Sequence, residues 1–484
     1  MTHFLELPLE LLPIIFGFVL RPQHISKLCL VNKTFNRFAI PLLYRRVFIF
    51  AWYKEAKTKV ILLLRTLSRC PHLARYVEKL GESPLICLPT SIPHPPSVEI
   101  RDFPKGLSAE RHSELLQLCS EGIRNCVHLR SCTWTRDGSL HSCVLESLSS
   151  CPQLRELEIN GNDSEYNPDL LAQFSRLSKI SLIMPSAHVL DVFPAWISIT
   201  GETLRSLTLI CKASTLVTDA FLVHLSSKLQ GLEYLYIIGC PRVTHLGIGA
   251  IAAANKNGLV GVSVEGLSQA FDMSAFKATC LHAEAFRRLR AITLTVHIHM
   301  PLDKWTRDVG ELLAFAPLEA FSMYSTAISI WTPIPDGFWM NIAAKHGHRL
   351  RKFSVHRMQI SLAALEVICL QCPLLEQLFI VAEQRELDDA ARLVAMARNL
   401  RTLHINFPLA TSESSVVSPP MLMEMAVSIV SVCSPTLAHI GCNTRVWQVK
   451  RTVHVDENGE KYVIPTLAPQ ENPDIPEQFL VIRA

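Results

Sequence analysis

The residues best suited to chemistry are two cysteines, Cys369 and Cys372, in a Cys-Leu-Gln-Cys pair, and two histidines, His297 and His299, separated by one isoleucine. A Cys-x-x-Cys pair supplies half of a tetrahedral zinc site, and the rest must come from a second pair or from histidines at finger spacing. No second pair stands at that distance. Cys372 also opens a Cys-Pro-x-Leu segment that recurs at Cys70 and Cys151, which gives it a structural reason to be present. His297 and His299 alternate as strand residues that share a face, yet no further ligand lies near them in sequence. The chain lacks a P-loop, a dinucleotide fingerprint, a nucleophile elbow and a His-Glu-x-x-His pair. No catalytic residue, metal or cofactor is expected.

The elements around these residues explain them better than chemistry does. The 484 residues carry 49% hydrophobic and 19% charged side chains, enough apolar surface to fold and more than one compact core usually holds. The net charge of +4 is small for this length, so neither nucleic acid nor a membrane is an expected partner. The first twenty residues carry Glu6, Pro8, Glu10 and Pro13 and no basic residue before the apolar run, unlike a signal peptide. The fifteen cysteines are odd in number and mostly lie beside leucines, which suits reduced, buried thiols. A cytoplasmic and/or nuclear protein is expected.

One pattern recurs along the chain: an apolar residue, two others, a second apolar residue, one other, a third. It occurs at Leu154/Leu157/Ile159, Leu177/Ile180/Leu182, Leu204/Leu207/Leu209, Leu232/Leu235/Ile237, Leu259/Val262/Val264 and Leu289/Ile292/Leu294. It continues at Leu318/Phe321/Met323, Leu350/Phe353/Val355, Leu375/Leu378/Ile380, Leu400/Leu403/Ile405 and Leu437/Ile440/Cys442, with first positions 23 to 37 residues apart. The last two apolar positions have the period of a half-buried strand, and several intervals read helical. Each unit is then a strand plus a return, so all strands run parallel. Strands pack about 4.8 Å apart and helices about 8 to 10 Å, so the stack curves with its sheet on the concave side.

The pattern resembles leucine-rich repeats, and Leu232-Glu-Tyr-Leu235-Tyr-Ile237-Ile-Gly-Cys240-Pro-Arg-Val243-Thr244 is similar to the cysteine-containing variety found in F-box proteins. The resemblance implies that Cys240, Val243 and Thr244 turn the chain from strand to helix. Residues Leu5 to Val47 resemble an F-box: Leu7-Pro8 matches its opening, Glu10-Leu11 its Glu-Leu, Ile14 or Ile15 its first-helix isoleucine, and Val31-Asn32-Lys33-x-Phe35 its Val-Cys-Lys-x-Trp. Asn32 and Phe35 depart from that pattern. Read from spacing alone, Leu7, Leu11, Ile14, Ile15 and Phe18 form one apolar stripe, and Ile25, Leu28, Val31 and Phe35 a second. So small a module cannot bury both internally, which leaves apolar surface for a partner.

The expected fold is therefore α/β: an F-box over residues 1–48, a helical linker over 49–69, and a curved leucine-rich-repeat solenoid with a parallel concave sheet over 70–442. A Pro-rich insertion falls near 84–104, and a hairpin and capping tail close the chain over 443–484, with an Asn458-Gly459 turn and apolar Phe479 to Ile482. An F-box protein with leucine-rich repeats, of the fungal type, implies the substrate-recognition subunit of a Skp-cullin-F-box ubiquitin ligase. Its partners would be a Skp-type adaptor, through it a cullin, and an unknown target, with the chain monomeric in the complex. The alternative is a repeat scaffold or inhibitor that works without ubiquitination. Adaptor contact is assigned to Leu7, Pro8, Leu11, Ile14, Ile15, Phe18, Ile25, Leu28, Val31 and Phe35. Strand alternation points Glu156, Glu158, Tyr234, Tyr236, Lys352, His356, Phe379 and His404 to the concave face as the target surface, with the two tyrosines and Phe379 as exposed anchors. The charges among the concave residues are mixed, so no acidic feature of the target is implied.

Overall fold

The computed structural model describes residues 7–19, 22–47, 56–80, 109–211, 214–297, 300–325, 334–406, 419–443, 445–455 and 458–469. The Pro-rich insertion, His299 and the apolar stretch Phe479 to Ile482 lie outside these residues.

Three helices open the chain: α1 (Leu11–Gly17), α2 (Pro22–Leu28) and α3 (Lys33–Arg45). Pro13 lies in the first turn of α1, where a missing N–H costs nothing, and so it starts the helix instead of breaking it. Asn32 caps α3, its side-chain oxygen accepting from the Phe35 amide at 2.8 Å. The residue that departs from the F-box pattern thus has a local task. Leu12, Phe16, Ile25, Phe35 and Ala39 form a small core of their own.

From Arg46 onward the described residues build one sixteen-stranded sheet in sequence order. The first half comprises β1 (Arg46–Val47), β2 (Lys79–Leu80), β3 (Ser131–Trp134), β4 (Glu156–Asn160), β5 (Lys179–Ile183), β6 (Ser206–Ile210), β7 (Tyr234–Ile238) and β8 (Gly261–Glu265). The second comprises β9 (Ala291–Val296), β10 (Ala320–Ser325), β11 (Lys352–His356), β12 (Gln377–Val381), β13 (Thr402–Asn406), β14 (His439–Cys442), β15 (Arg445–Val455) and β16 (Lys461–Pro469). Neighbours from β1 to β14 pair parallel, and β14, β15 and β16 pair antiparallel. Every recurring unit of the sequence contributes one strand, β4 to β14, with its second and third apolar residues buried in a continuous core.

Among the described residues three strands precede the first recognisable unit. In β3 the inward positions are Cys132 and Trp134, both fully buried, in place of leucine. The stretch expected to be a linker holds α4 (Ala56–Arg69), which joins the solenoid: Val60, Leu64 and Leu67 are buried in the main core. After α5 (Pro71–Ala74), α6 (Ala109–Asn125) lies so close to α4 that a Cβ on Gly122 would stand 3.1 Å from the Leu67 Cβ. Asn125 donates to the Leu67 and Ser68 carbonyls at 3.0 Å.

Five of the strand-to-helix turns among the described residues are fixed by polar caps. Ser186, Thr218, Thr244, Asp272 and Ser361 each accept from an amide of the helix they open. Cys240 and Val243 are fully buried beside Thr244. Asp219 ties two repeats together by accepting from the Thr244 amide at 2.8 Å, the Thr244 hydroxyl at 2.6 Å and the Gly247 amide at 2.9 Å. Gly239 holds a positive φ of 68°, and a side chain there would meet the Cys211 carbonyl.

The far end is closed by the β15–β16 hairpin, turned through Gly459 at φ 84°. Val449 joins the main core, and Trp447 and Leu467 pack against it. Arg451 donates to the Leu437 and Ser434 carbonyls of the last repeat at 2.7 and 3.2 Å.

Candidate partner-binding surfaces

The first helix has two faces. Leu12 and Phe16, four residues apart, point inward, and the Phe16 ring lies 5.0 Å from that of Phe35. Leu11 and Ile14 stand on the opposite face with Phe18 one turn on, and Ile14 is 59% and Phe18 82% exposed. Val31 is exposed in the turn between α2 and α3, Pro8 is exposed before α1, and Leu7, Ile15 and Leu28 are half-buried. Ile25 and Phe35, expected at the adaptor surface, are instead buried in the module's own core. Three short helices need those residues to hold together. Two exposed residues were not foreseen: Leu9, and Leu30 at 84% exposure. Leu30 precedes Val31 in a turn, where helical periodicity gives no signal.

On the concave face, alternation gives the correct side but not the exposure. Glu156 and Tyr234 are half-buried, as is His356, whereas Glu158, Tyr236, Lys352, Phe379 and His404 are buried. The expectation of protruding anchors therefore fails for Tyr236, only 1% exposed, and for Phe379. The side chains lie across the sheet. Tyr234 and Tyr236 lean over Gly261 of the next strand, where a Cβ would meet the Tyr234 Cδ1 at 2.6 Å and the Tyr236 Oη at 2.7 Å. Phe379 stacks on His404 with centroids 6.1 Å apart, and His404 in turn occupies the space above Gly441. The Lys352 ammonium sits 5.3 Å from the Phe379 ring centre.

Burial controls the charge of this face. It lowers the His356 pKa to about 3, helped by Lys352, His404 and Arg357, and that of His404 to about 4. Both rings are neutral at pH 7, bonded to Ser354 at 2.7 Å and Asn406 at 3.0 Å.

Burial also pushes the Cys369 and Cys372 thiols up to about 12. Among the described residues no three His, Cys, Asp or Glu side chains gather as a metal site, and no helix is long and apolar enough to cross a membrane.

Comparison with known proteins agrees with the module. Residues 4–50 match the family described as F-box-like. No curated protein matches the chain. Among solved structures, the chain is similar to one in the crystal structure of the Rad7 and Elc1 complex in yeast, at 15% identity and a TM-score of 0.36, covering 76% of this chain and 92% of that one. It is similar also to the leucine-rich repeat-containing protein LegL7 from Legionella pneumophila, at 10% identity and a TM-score of 0.32, covering 69% and 85%. The chain joins an F-box-like domain at its amino terminus to a parallel-sheet solenoid like that of leucine-rich repeats.

Proposed function

We propose that this chain is the substrate-recognition subunit of a Skp-cullin-F-box type ubiquitin ligase, with the F-box-like module on a Skp-type adaptor and the solenoid on a target protein. The observation that carries the reading is the apolar surface of the module: Leu9, Leu11, Ile14, Phe18, Leu30 and Val31 stand in solvent although a buried core lies directly behind them. Exposed clusters of large apolar residues mark partner sites. The subunit performs no bond chemistry; it raises the effective concentration of a target lysine near the ubiquitin-charged enzyme. The cullin is reached through the adaptor, and the work is done in the cytoplasm or nucleus.

Purification of the full chain from cells tests this. Wild type should recover adaptor and cullin together with a third protein that accumulates when the proteasome is blocked. Ile14→Asp/Phe18→Asp should lose the adaptor while the solenoid stays folded, because two charges would enter a desolvated interface at a cost of several kcal/mol, about 2 or more each. Retained adaptor in that folded variant would refute the assignment.

A further inference from the structure

One row of residues lies just before the concave face, at the entrance of each strand. Its geometry repeats because the carbonyl of each member accepts from two amides of the following strand. Arg130 accepts from Arg155 and Glu156 at 2.8 and 3.0 Å, Arg155 from Ser178 and Lys179 at 2.7 and 3.0 Å, Ser178 from Arg205 and Ser206 at 2.8 and 2.9 Å, and Arg205 from Glu233 and Tyr234 at 2.7 and 2.8 Å. These bonds hold the row at strand spacing, about 4.8 Å between neighbours.

The signs along the row differ between the two halves of the solenoid. In the second half Arg290 pairs with Glu319 at 3.5 Å and Arg351 with Glu376 at 2.5 Å, Val260 is uncharged, and Arg401 stands exposed as a single arginine after the last pair. At the start Arg45 takes Glu78 at 3.3 Å, and Glu233 is taken by Arg288 at 3.6 Å. Between those two glutamates stand Arg130, Arg155 and Arg205, all exposed, with Ser178 as the one uncharged member. None of the three arginines forms an ion pair among the described residues. The nearest acid on the concave row, Glu156, is in register with Lys179 and adds no net charge.

Two of these guanidinium groups are already positioned. Arg155 Nη1 donates to the Leu154 carbonyl at 3.0 Å, and Arg205 Nη1 to the Glu202 and Leu204 carbonyls at 2.8 and 2.9 Å. Each keeps further N–H groups free for an oxyanion. At the β2 end of the run a cavity of about 600 Å³ is lined by Pro41 and Leu42 as well as Arg45, Arg75, Tyr76, Glu78 and His128. Arg75 lies over the Tyr76 ring at 5.0 Å. Like charges on adjacent strands repel, so this run costs folding energy that an anionic partner would offset.

We infer that the rim formed by Arg130, Arg155 and Arg205, with the Arg75 cavity at its end, binds an acidic, Asp/Glu-rich peptide segment of a partner protein. Arg45 heads the same row and ends α3, so the segment is held on the rim from which the F-box-like module departs. This deepens the ligase reading by giving the target a chemistry, although the binding itself does not require that reading.

Fluorescence anisotropy of a labelled deca-glutamate peptide with the full-length protein tests the inference. Wild type binds, more weakly as salt rises. Arg130→Gln/Arg155→Gln/Arg205→Gln lowers the affinity by about ten-fold or more, and the triple Glu variant abolishes it, whereas Arg307→Glu/Arg392→Glu leaves it unchanged. The Gln variant should still recover adaptor, so failure here and failure of the ligase reading are separable. Equal affinity of wild type and the Gln variant, or no binding by wild type, overturns the inference. Tighter binding of heparin or single-stranded RNA than of deca-glutamate at the same arginines overturns the peptide assignment.

Discussion

The Phe16 and Phe35 rings meet 5.0 Å apart across α1 and α3, and this contact divides the apolar residues of the F-box-like module into those that hold it together and those left for a partner. Phe35→Ala should destabilise the module by about 3 to 5 kcal/mol, as truncations of buried phenylalanine do. Phe18→Ala should leave its stability unchanged and weaken adaptor binding instead. Hydrogen exchange over residues 11–45, with adaptor recovery on the same samples, separates the two effects. Equal protection loss in both variants would contradict the division.

Tyr236 carries a buried hydroxyl that makes no hydrogen bond and lies, beside the Tyr234 ring, over the space left by Gly261. Tyr236→Phe should therefore be neutral or stabilising by about 1 kcal/mol, since it removes an unsatisfied polar atom while keeping the ring. Gly261→Ala should cost about 1 to 3 kcal/mol by forcing both tyrosines aside. Thermal unfolding of the two single variants checks the opposite signs.

His346, His356 and His404 make stability fall with acid. Burial holds His346 and His404 at about 4 and His356 at about 3, below the value of about 6.5 expected in the unfolded chain. Their folded pKa values are depressed, so the unfolded state takes up protons first as pH drops. Stability is greatest above about pH 6.5 and should decline from there toward pH 4, each ring contributing up to about 1.4 kcal/mol per pH unit. His356→Gln/His404→Gln should flatten the dependence of unfolding midpoint on pH between 7 and 5; an unchanged slope would show that these rings are not the source.

The Asp219 carboxylate serves three donors of the next repeat, so Asp219→Ala should cost about 2 to 3 kcal/mol, the usual loss for hydrogen bonds to a charged group. Exchange protection should fall first over residues 219–254, the two helices it joins. Uniform loss along the whole solenoid would show that these repeats do not open locally.

The repeats from β4 to β14 were readable because each carries three apolar residues at fixed spacing, and the strand period names the buried pair. β1 and β2 were not, since two residues cannot show a period. β3 was hidden because its pair is Cys132 and Trp134, in place of the leucine or isoleucine that most units carry. The concave row was readable as a face, but its exposure was not. Whether Tyr236 or Phe379 protrudes depends on residues of the next strand, Gly261 diagonal to Tyr236 and His404 in register with Phe379, which let those side chains lie down. The arginine rim was equally invisible, because its members become neighbours only through the register of β3 to β6.

The last expectation concerns the end of the stack. A solenoid exposes the apolar face of its final unit unless something covers it, and here Val449 of the hairpin enters the main core, Trp447 and Leu467 pack against that core, and Trp447 pairs with Ile440 of β14. Arg451 fastens the cover through the Leu437 and Ser434 carbonyls. Arg451→Ala removes both bonds and should loosen β14 by about 1 to 3 kcal/mol without touching the first repeats. Deleting residues 445–484 removes the cover altogether, so the edge of β14 and the core behind it meet water. That protein should aggregate on heating, with lost exchange protection beginning in β14 and the helix Pro419–Val432. A truncated chain as soluble and as thermally stable as the full one would mean that the last repeat stands without its hairpin.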